Sequence, residues 1–515
     1  MATKQQQKSN VIAIIAMFFL FAMISFVTNL AAPIGTIWGY KFEGNSMLGM
    51  MGNMMNFLAY LFMGIPAGNL LVKIGYKKTA LWAMAIGVIG LFVQWLSSAV
   101  GADTNLFEMT SMVKENGVEV AKTFVVPLNF IIYLLGAFIC GFCVCMLNTV
   151  VNPMLNLLGG GGNRGNQLVQ MGGTLNSLAG TCTPFAVGAL VGVITKSTTV
   201  ASVSPLLWTA MGVFVAAFIV ISMVKIPEPH MAKKGVKKVN YTHSAWSFRH
   251  LVLGVIGIFL YVGIEIGIPG MLIFYLQDVT GSLAVGTAVA SFYWLLMLVG
   301  RFCSSLISGF VSSRAQIIFV SSFATLLIVI AIFLPKDLGM KAPGFMYDPV
   351  STTESMLKDK NVDENVVAEI IKLESPTEET LVVYAEDLKK AEVEPQAVIK
   401  SLETPVIPYS AFLLVLCGLC TSVMWGGIFN LAVEGLGKYT AQASGIFMMM
   451  VVGGGVMPLI QEAIGRAAGD YMTSYWLVVA MMLYILYYAL IGSKNVNTDI
   501  PVDEENVSEE VENAL

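Results

Sequence analysis

The sequence predicts an all-α membrane protein in which twelve transmembrane helices form two pseudo-symmetric six-helix bundles. Hydrophobic residues make up 56% of its 515 residues and charged residues only 12%, whereas a soluble domain carries about 25% charged residues. A spanning helix needs about 20 mostly apolar residues, and twelve such segments can be marked. Six lie on each side of a polar centre, which indicates two bundles of equal size.

The predicted spans are numbered 1 to 12 in chain order. Spans 1 to 6 cover roughly 11–36, 47–72, 78–99, 126–157, 166–194 and 204–224, and spans 7 to 12 cover roughly 249–277, 283–310, 315–334, 407–433, 440–464 and 471–492. The chain is therefore divided into an N-terminal bundle (1–224), a linker (225–248), a C-terminal bundle (249–492) with an insert at 335–406, and an acidic tail (493–515).

Basic residues in short loops predict the topology, because such loops stay in the cytoplasm. With both termini cytoplasmic, the loops 100–125 and 335–406 face outward. A multi-pass protein of the plasma membrane, the bacterial inner membrane, is expected. One side then holds the linker and Lys73, Lys77, Lys78, Arg164, Arg301, Arg314 and Lys438.

The outer loop between spans 9 and 10 is too long for a simple connector. Its residues Ser375-Pro376-Thr377-Glu378 match a capping box with proline at the first helical position. This pattern predicts a small helical cap. A disordered acidic loop is the alternative, because the apolar residues of the segment are few.

Several classes of function have no support in the sequence. The net charge of -4 offers no basic surface for nucleic acid, and all seven cysteines fall inside apolar runs as packing residues. The three histidines lie in the linker, and no GxxxxGK[ST] loop is present. We therefore predict no enzyme activity, no cofactor and no metal, and we expect a monomer.

Proline and glycine positions suggest which helices line a pore. Predicted breaks fall in span 1 (Pro33, Gly35), span 4 (Pro153), span 7 (Gly267, Pro269, Gly270), span 10 (Gly426, Gly427) and span 11 (Gly453, Gly454, Gly455, Pro458). Breaks of this kind free backbone groups, which are tolerated at membrane depth only beside protein or water. The breaks in spans 1, 4, 7 and 10 hold corresponding places in successive three-helix units. This correspondence predicts that these four spans surround a central path, as in transporters built from two repeats.

Four segments carry a resemblance to a known family. They read NFLAYLFMGIPAGNLLVKIGYKKTAL from Asn56, FLYVGIEIGIPGMLIFYL from Phe259, YWLLMLVGRF from Tyr293 and IFNLAVEGLGKYTAQASGIFMMMVVGGGVMPLIQ from Ile428. Together they resemble the fucose, glucose and galactose:proton symporter branch of the major facilitator superfamily. The resemblance covers most of both halves but not the insert. It implies the two-bundle facilitator fold and a monosaccharide substrate.

The chain departs from that branch at two positions tied to proton coupling. The branch has an aspartate four residues before the proline of span 1 and a glutamate four positions before the Asn of an Asn-Pro step in span 4. Here these positions hold Asn29 and Asn148, which precede Pro33 and Asn152-Pro153. An amide can hydrogen-bond a sugar hydroxyl but cannot take up a proton. An altered coupling mechanism is favoured, with helix-packing asparagines as the alternative.

The candidate substrate site combines hydrogen-bonding groups with aromatic surfaces, because a pyranose presents both polar and apolar faces. Glu265 lies nearest mid-helix of all ionisable residues in the spans, and a lone buried carboxylate is costly there. It should face a cavity and could carry a coupling proton. The full candidate set is Asn29, Asn148, Asn152, Glu265, Asn430 and Gln442, with Trp294 and Trp425 as platforms.

A second set of residues is predicted at the cytoplasmic ends of the helices. Lys77, Lys78 and Arg301 can bond exposed helix carbonyls and reinforce an inner gate. Gly68 and Gly75 would let backbones approach closely while the bundles rock. Plain loop geometry and topology signalling are the alternatives.

The sequence thus predicts a secondary transporter that moves a small neutral solute, expected to be a monosaccharide, by alternating access. The lipid bilayer is its environment, and a proton or sodium ion is the possible co-substrate. Two alternatives stay open: a facilitator-fold exporter of amphipathic compounds, and a membrane sensor that binds a ligand without moving it. The linker of about 25 residues is short for a signalling domain.

Overall fold

The computed structural model describes most of the chain, including the predicted spans except for 192–194, the predicted end of span 5. The described residues are 4–42, 46–115, 118–191, 198–226, 243–360, 362–373, 377–391 and 393–502. Most of the linker, Ser375 and Pro376, and the end of the acidic tail lie outside these ranges.

The N-terminal half contains six spans. Span 1 is Lys4–Lys41. Spans 2 and 3 form the continuous element Ser46–Ala99, which turns at Gly75 with φ 84°. Glycine adopts this left-handed conformation at no steric cost, so the chain reverses there without a loop. Spans 4, 5 and 6 are Leu128–Leu158, Gly162–Leu190 and Ser204–Met223.

The C-terminal half repeats the six-span pattern. Spans 7, 8 and 9 are Arg249–Thr280, Leu283–Ile307 and Ser313–Phe333, and span 10 is Tyr409–Val433. Span 11 begins as Thr440–Met449 and resumes as Gly453–Ala468 after the 3₁₀ turn Met450–Val452. Span 12 is Tyr475–Tyr487, extended by the π turn Tyr488–Gly492.

The twelve-helix prediction is confirmed. Ten helices of the described chain are long and apolar enough to cross a membrane, and one of them, Leu48–Ala99, has 52 residues and makes two crossings around Gly75. Span 5 is the remaining helix. It is less apolar because side chains such as Gln170 and Ser177 bond the other half of the molecule.

The predicted helix breaks are wrong for spans 1, 4, 7 and 10. Spans 1, 4 and 7 run through Pro33, Pro153 and Pro269 as continuous helices. In span 10, Gly426 lies against Gln170 of span 5, where an added Cβ would be 2.9 Å from the amide nitrogen. Proline removes one backbone hydrogen bond, but neighbouring helices in a membrane can satisfy the freed carbonyl. The predicted break in span 11 is confirmed, because the 3₁₀ turn Met450–Val452 interrupts that helix directly before Gly453.

The chain between spans 3 and 4 forms an antiparallel β-hairpin that the sequence analysis treated as a loop. Strands β1 (Asn105–Glu115) and β2 (Val118–Pro127) pair along their length. Phe124 and Val126 are buried at the base. The hydroxyls of Thr110 and Thr123 lie 3.1 Å apart across the strands. The hairpin projects from the end of the bundle that also carries the insert, which we call the insert end.

The insert contains the helices that the sequence predicted. Strands β3 (Gly339–Lys341) and β4 (Val406–Pro408) pair antiparallel and join its two ends. Between them lie five short helices: Pro349–Asp359, Glu364–Ile370, Glu378–Leu381, Ala385–Lys390 and Pro395–Leu402. The third begins at an N-cap Thr377, whose hydroxyl accepts from Thr380 N, rather than at the predicted Ser375.

The insert has a hydrophobic core separate from that of the spans. Its eight buried members are Leu357, Val362, Val367, Ile370, Leu381, Leu388, Val393 and Val398. A small apolar core of this kind is sufficient to hold the helices together because the strand pair already closes the loop that contains them.

Leu381→Asp is expected to unfold the insert and to leave the spans folded. Leu381 is 0% exposed, and an unpaired carboxylate in an apolar core is strongly unfavourable. Hydrogen exchange measured by mass spectrometry should show loss of protection in the insert helices alone. Val383→Asp is the matched control, since Val383 is 81% exposed. Equal protection in both variants, or loss in the spans, would contradict an independent core.

Candidate functional site

A buried ion pair lies between the spans of the C-terminal half. Arg301 Nη2 of span 8 donates to Glu265 Oε1 of span 7 at 2.9 Å, and their side chains are 10% and 12% exposed. Arg301 was predicted at a helix end, and this predicted position is wrong. Arg301 comes six residues before the end of span 8, about 9 Å inward, so its long side chain reaches the carboxylate in mid-membrane.

Arg301 also crosses to the N-terminal half. Its Nη1 donates to Ser177 Oγ at 2.7 Å and to Gly173 O at 3.4 Å, both in span 5. A Cβ at Gly173 would lie 3.5 Å from Arg301 Cδ, an ordinary contact distance, so the arginine stem passes close to span 5 at this residue. The guanidinium therefore joins the acidic group of one half to the backbone and hydroxyl of the other.

Two buried tyrosines flank this pair. Tyr261 lies one helical turn before Glu265, and its hydroxyl faces the carboxylate and the guanidinium. Tyr293 of span 8 shares a 2.8 Å hydrogen bond with Thr421 of span 10. Neither tyrosine was predicted as a site residue, although the four-residue spacing of Tyr261 and Glu265 places these two residues on one helix face.

Asn29 is exposed in the middle of span 1 and borders span 5. Its Nδ2 donates to Ser25 O at 2.8 Å, and an added Cβ at Gly180 would lie 2.9 Å from this nitrogen. Gly173, Ser177 and Gly180 follow helical spacing and share one face of span 5. Asn29 and Arg301 therefore line the same stretch of span 5, at successive depths.

Span 4 carries a row of asparagines that bond spans 2 and 10. Asn148 donates to the Tyr60 hydroxyl of span 2 at 2.8 Å, and Asn152 donates to Asn148 O at 2.9 Å. Trp425 Nε1 donates to Asn152 Oδ1 at 3.0 Å. The ring of Trp425 meets that of Tyr261 edge-on, with centroids 6.3 Å apart. This amide row is thereby continuous with the residues around Glu265.

The remaining candidates divide between two depths. Trp294 is 42% exposed and lies seven residues before Arg301, on the same face of span 8. Asn430 lies near the end of span 10, where it accepts from Asn156 Nδ2 at 2.6 Å and donates to Ser313 Oγ at 2.9 Å. Gln442 lies in the first turn of span 11. The structure thus brings neither Asn430 nor Gln442 to Glu265.

Contacts between the halves close the end that carries the basic loops, which we call the basic end. Gly64 and Gly68 of span 2 meet Gly445 of span 11 so closely that an added Cβ on Gly445 would lie 2.5 Å from Gly64 O. Gln170 donates to Val423 O at 2.8 Å, and Asn166 donates to Ser308 Oγ at 3.1 Å. These neutral contacts hold the halves together.

Of the predicted gate glycines and lysines, Gly68 alone takes part in this closure. Lys77 donates to Ser222 O at 2.6 Å and to Val224 O at 2.8 Å, which caps the end of span 6 within its own half. Lys78 is exposed. Gly75 provides the turn between spans 2 and 3. The four-residue spacing of Gly64 and Gly68, a signature of close helix packing in membranes, is the signal that could have located the contact.

Within the described ranges, no cluster of three or more His, Cys, Asp or Glu side chains is placed to hold a metal ion. The chemistry available at the site is hydrogen bonding by amides and hydroxyls, one carboxylate and one guanidinium that neutralise each other, and aromatic surface.

Comparisons with known proteins agree with this architecture. No protein-family model matches the chain. A glucose/galactose transporter of Brucella abortus biovar 1 (strain 9-941) is 25% identical over 499 residues, covering 95% of this chain and 96% of the relative. The crystal structure of the E. coli fucose:proton symporter matches with a TM-score of 0.64 and 17% identity, over 94% of this chain and 100% of that one. A second crystal structure, of a major facilitator superfamily transporter in the outward conformation, gives 0.63 and 17% identity, with the same coverage.

Two six-span halves that meet around a buried polar site are the architecture of a secondary transporter, and the relatives are named as transporters and not as enzymes. The chain has the two-bundle facilitator fold, and it resembles the fucose, glucose and galactose:proton symporter branch of the major facilitator superfamily.

Proposed function

We propose that the protein carries a neutral monosaccharide across the membrane by alternating access. The observation that carries the proposal is the place of the Glu265–Arg301 pair at the junction of the two halves. Because the two charges cancel, the site favours an uncharged solute. Exposed Asn29 of span 1 and Trp294 of span 8 offer an amide and an aromatic face, the two kinds of surface that a sugar ring matches. The name of the Brucella relative supports glucose or galactose.

The closed basic end supports a state that is open toward the insert end. The likeness to a transporter solved in the outward conformation favours the same assignment. We propose that the basic end is cytoplasmic with both termini, that the insert is extracytoplasmic, and that the protein resides in the bacterial inner membrane. A proton is the favoured co-substrate, with sodium as the other candidate, and a monomer is the expected functional unit.

A facilitator-fold exporter of amphipathic compounds is the second candidate function. It would need a largely apolar pocket, whereas Asn29, Glu265 and Arg301 make this one polar. A sensor would need a sealed path, and the closest contacts between the halves described above concentrate at one end. Both observations favour transport of a polar solute.

Uptake into proteoliposomes tests the proposal. A panel of labelled monosaccharides is offered while proton and sodium gradients are imposed separately. Accumulation of at least one neutral hexose is expected, driven by one of the two gradients. Glu265→Gln should abolish accumulation and leave sugar exchange intact, since the amide cannot release a proton. Equal loss of both activities would assign Glu265 to binding or packing, and uptake of none of the sugars would exclude the function.

Tyr60→Phe is expected to weaken sugar binding roughly tenfold or less. The Tyr60 hydroxyl accepts the hydrogen bond that orients the Asn148 amide, and a bond of this kind contributes ~0.5–1.5 kcal/mol. Binding is measured by calorimetry on the purified protein. Tyr133→Phe is the matched control, because the Tyr133 hydroxyl has no hydrogen-bond partner among the described residues. Equal sugar affinities in the two variants would show that Asn148 does not belong to the binding site.

A further inference from the structure

We propose that Arg301 transmits the protonation state of Glu265 to the other half of the molecule, with Ser177 as the receiving group. This inference rests on the proposed alternating access and goes beyond it, because it names the contact that links the coupling group to the opening of the basic end. Arg301 and Ser177 are positioning residues in this scheme, since they act through Glu265 and through span 5.

The geometry gives Arg301 two different kinds of partner. On one side it faces an ionised carboxylate in its own half at 2.9 Å, and on the other it bonds Ser177 Oγ at 2.7 Å and Gly173 O at 3.4 Å in the opposite half. The charge on the first partner can change, whereas the second pair of acceptors is neutral. A single guanidinium can serve both because its donors form a rigid planar fork.

The charged and titratable groups around Glu265 are few. Arg301 and Tyr293 come from span 8, and Tyr261 comes from span 7 itself. The tyrosines are buried phenols without charge at neutral pH. Glu265 is therefore the group of this cluster whose charge can respond to a proton gradient.

The proposed step is the addition of one proton from water on the insert side to a Glu265 carboxylate oxygen. The carboxylate becomes a neutral acid, the ion pair is lost, and Arg301 keeps its positive charge. A buried guanidinium with only neutral acceptors is unfavourable, so the structure in which Arg301 is sealed between spans 5 and 8 loses stability. Spans 5 and 8 then separate, water reaches Arg301, and the basic end opens while Glu265 is protonated.

Distance measurements between spin labels at the basic end test this scheme. Lys73→Cys in the N-terminal half and Phe310→Cys in the C-terminal half place labels on exposed positions. Cys182→Ser and Cys303→Ser remove the two exposed native thiols. The full-length protein is measured in detergent or bilayers at acidic and alkaline pH. The expected result in this background is a shift toward the longer separation on acidification.

Three variants distinguish transmission from simple packing. Glu265→Gln should show the longer separation at both pH values. Ser177→Ala should raise the longer population about tenfold at alkaline pH, because a charge-assisted hydrogen bond across the interface is removed. Ser177→Thr keeps the hydroxyl and should restore the background distribution, which would show that the effect of alanine comes from the missing hydroxyl.

Ser291→Ala is the matched control, since Ser291 is exposed on span 8 and bonds the Thr287 carbonyl of its own helix at 2.8 Å. It should match the background. The scheme is overturned if Ser177→Ala behaves as Ser291→Ala does, or if Glu265→Gln keeps the full response to pH. Sugar uptake is measured separately. Uptake of none of the sugars would contradict the proposed substrate, whereas an unchanged distance distribution in Ser177→Ala would contradict the transmission contact.

Discussion

Arg301→Ala should abolish uptake and lower the free energy of unfolding by ~3–5 kcal/mol, because it leaves the Glu265 carboxylate buried without its partner. The carboxyl oxygen accepts a 2.9 Å bond from Arg301, and both side chains are nearly inaccessible. The same substitution removes the two bonds to span 5. Thermal unfolding of the purified protein and uptake into proteoliposomes measure the two effects.

Arg466→Ala is the matched control for this prediction. Arg466 pairs with Glu462 one turn away in span 11, but its side chain is 47% exposed. Exposed pairs contribute ~0–1 kcal/mol, so little change in stability is expected. Comparable destabilisation in the two variants would show that the Glu265–Arg301 pair is not a special feature of the site. Arg301→Lys keeps the charge but loses the fork geometry, so we expect partial stability with strongly reduced uptake.

Gly445→Ala should prevent the basic end from closing and reduce uptake by at least about tenfold. An added Cβ would lie 2.5 Å from Gly64 O and 2.7 Å from Gly68 Cα, and both are backbone atoms that cannot rotate away. Overpacking of this kind costs ~1–3 kcal/mol, and the cost applies only to the closed arrangement. The ratio of open to closed populations should therefore rise by roughly 5- to 150-fold.

The spin-label pair at Lys73 and Phe310 measures this shift, together with uptake. Gly64→Ala should act in the same way, since its Cβ would meet Met449 N at 2.5 Å. Gly212→Ala in span 6 is the control, because nothing lies within 4 Å of its added Cβ. If Gly445→Ala transports as well as Gly212→Ala does, the glycine contact is not the closure of the basic end.

Elements whose information is local were predicted well from the sequence. Long apolar segments must span the membrane as helices because no other open structure satisfies the backbone there, and the twelve spans were located on this basis. The helices of the insert were also expected. The hairpin of Asn105–Glu115 and Val118–Pro127 was missed, since even strands of 11 and 10 residues carry a weaker signal than helices of spanning length.

The prolines show where local information misleads. Pro33, Pro153 and Pro269 predicted breaks, and the helices continue through them because packing against neighbours satisfies the backbone. The candidate amides were chosen by type and depth along each helix. Such a choice cannot separate Asn148 and Asn152, which lie next to Trp425, from Asn430, which bonds Asn156 near the basic end.

The sequence by itself determined the class of the protein, the twelve spans, the bundle of two halves and the importance of Glu265, because hydropathy, charge spacing and the cost of a buried carboxylate are readable along one chain. Only the tertiary structure decided what Arg301 does. Its bond to Ser177 joins residues 124 positions apart. Contacts of that kind depend on how whole helices pack, and no spacing within a single helix records them.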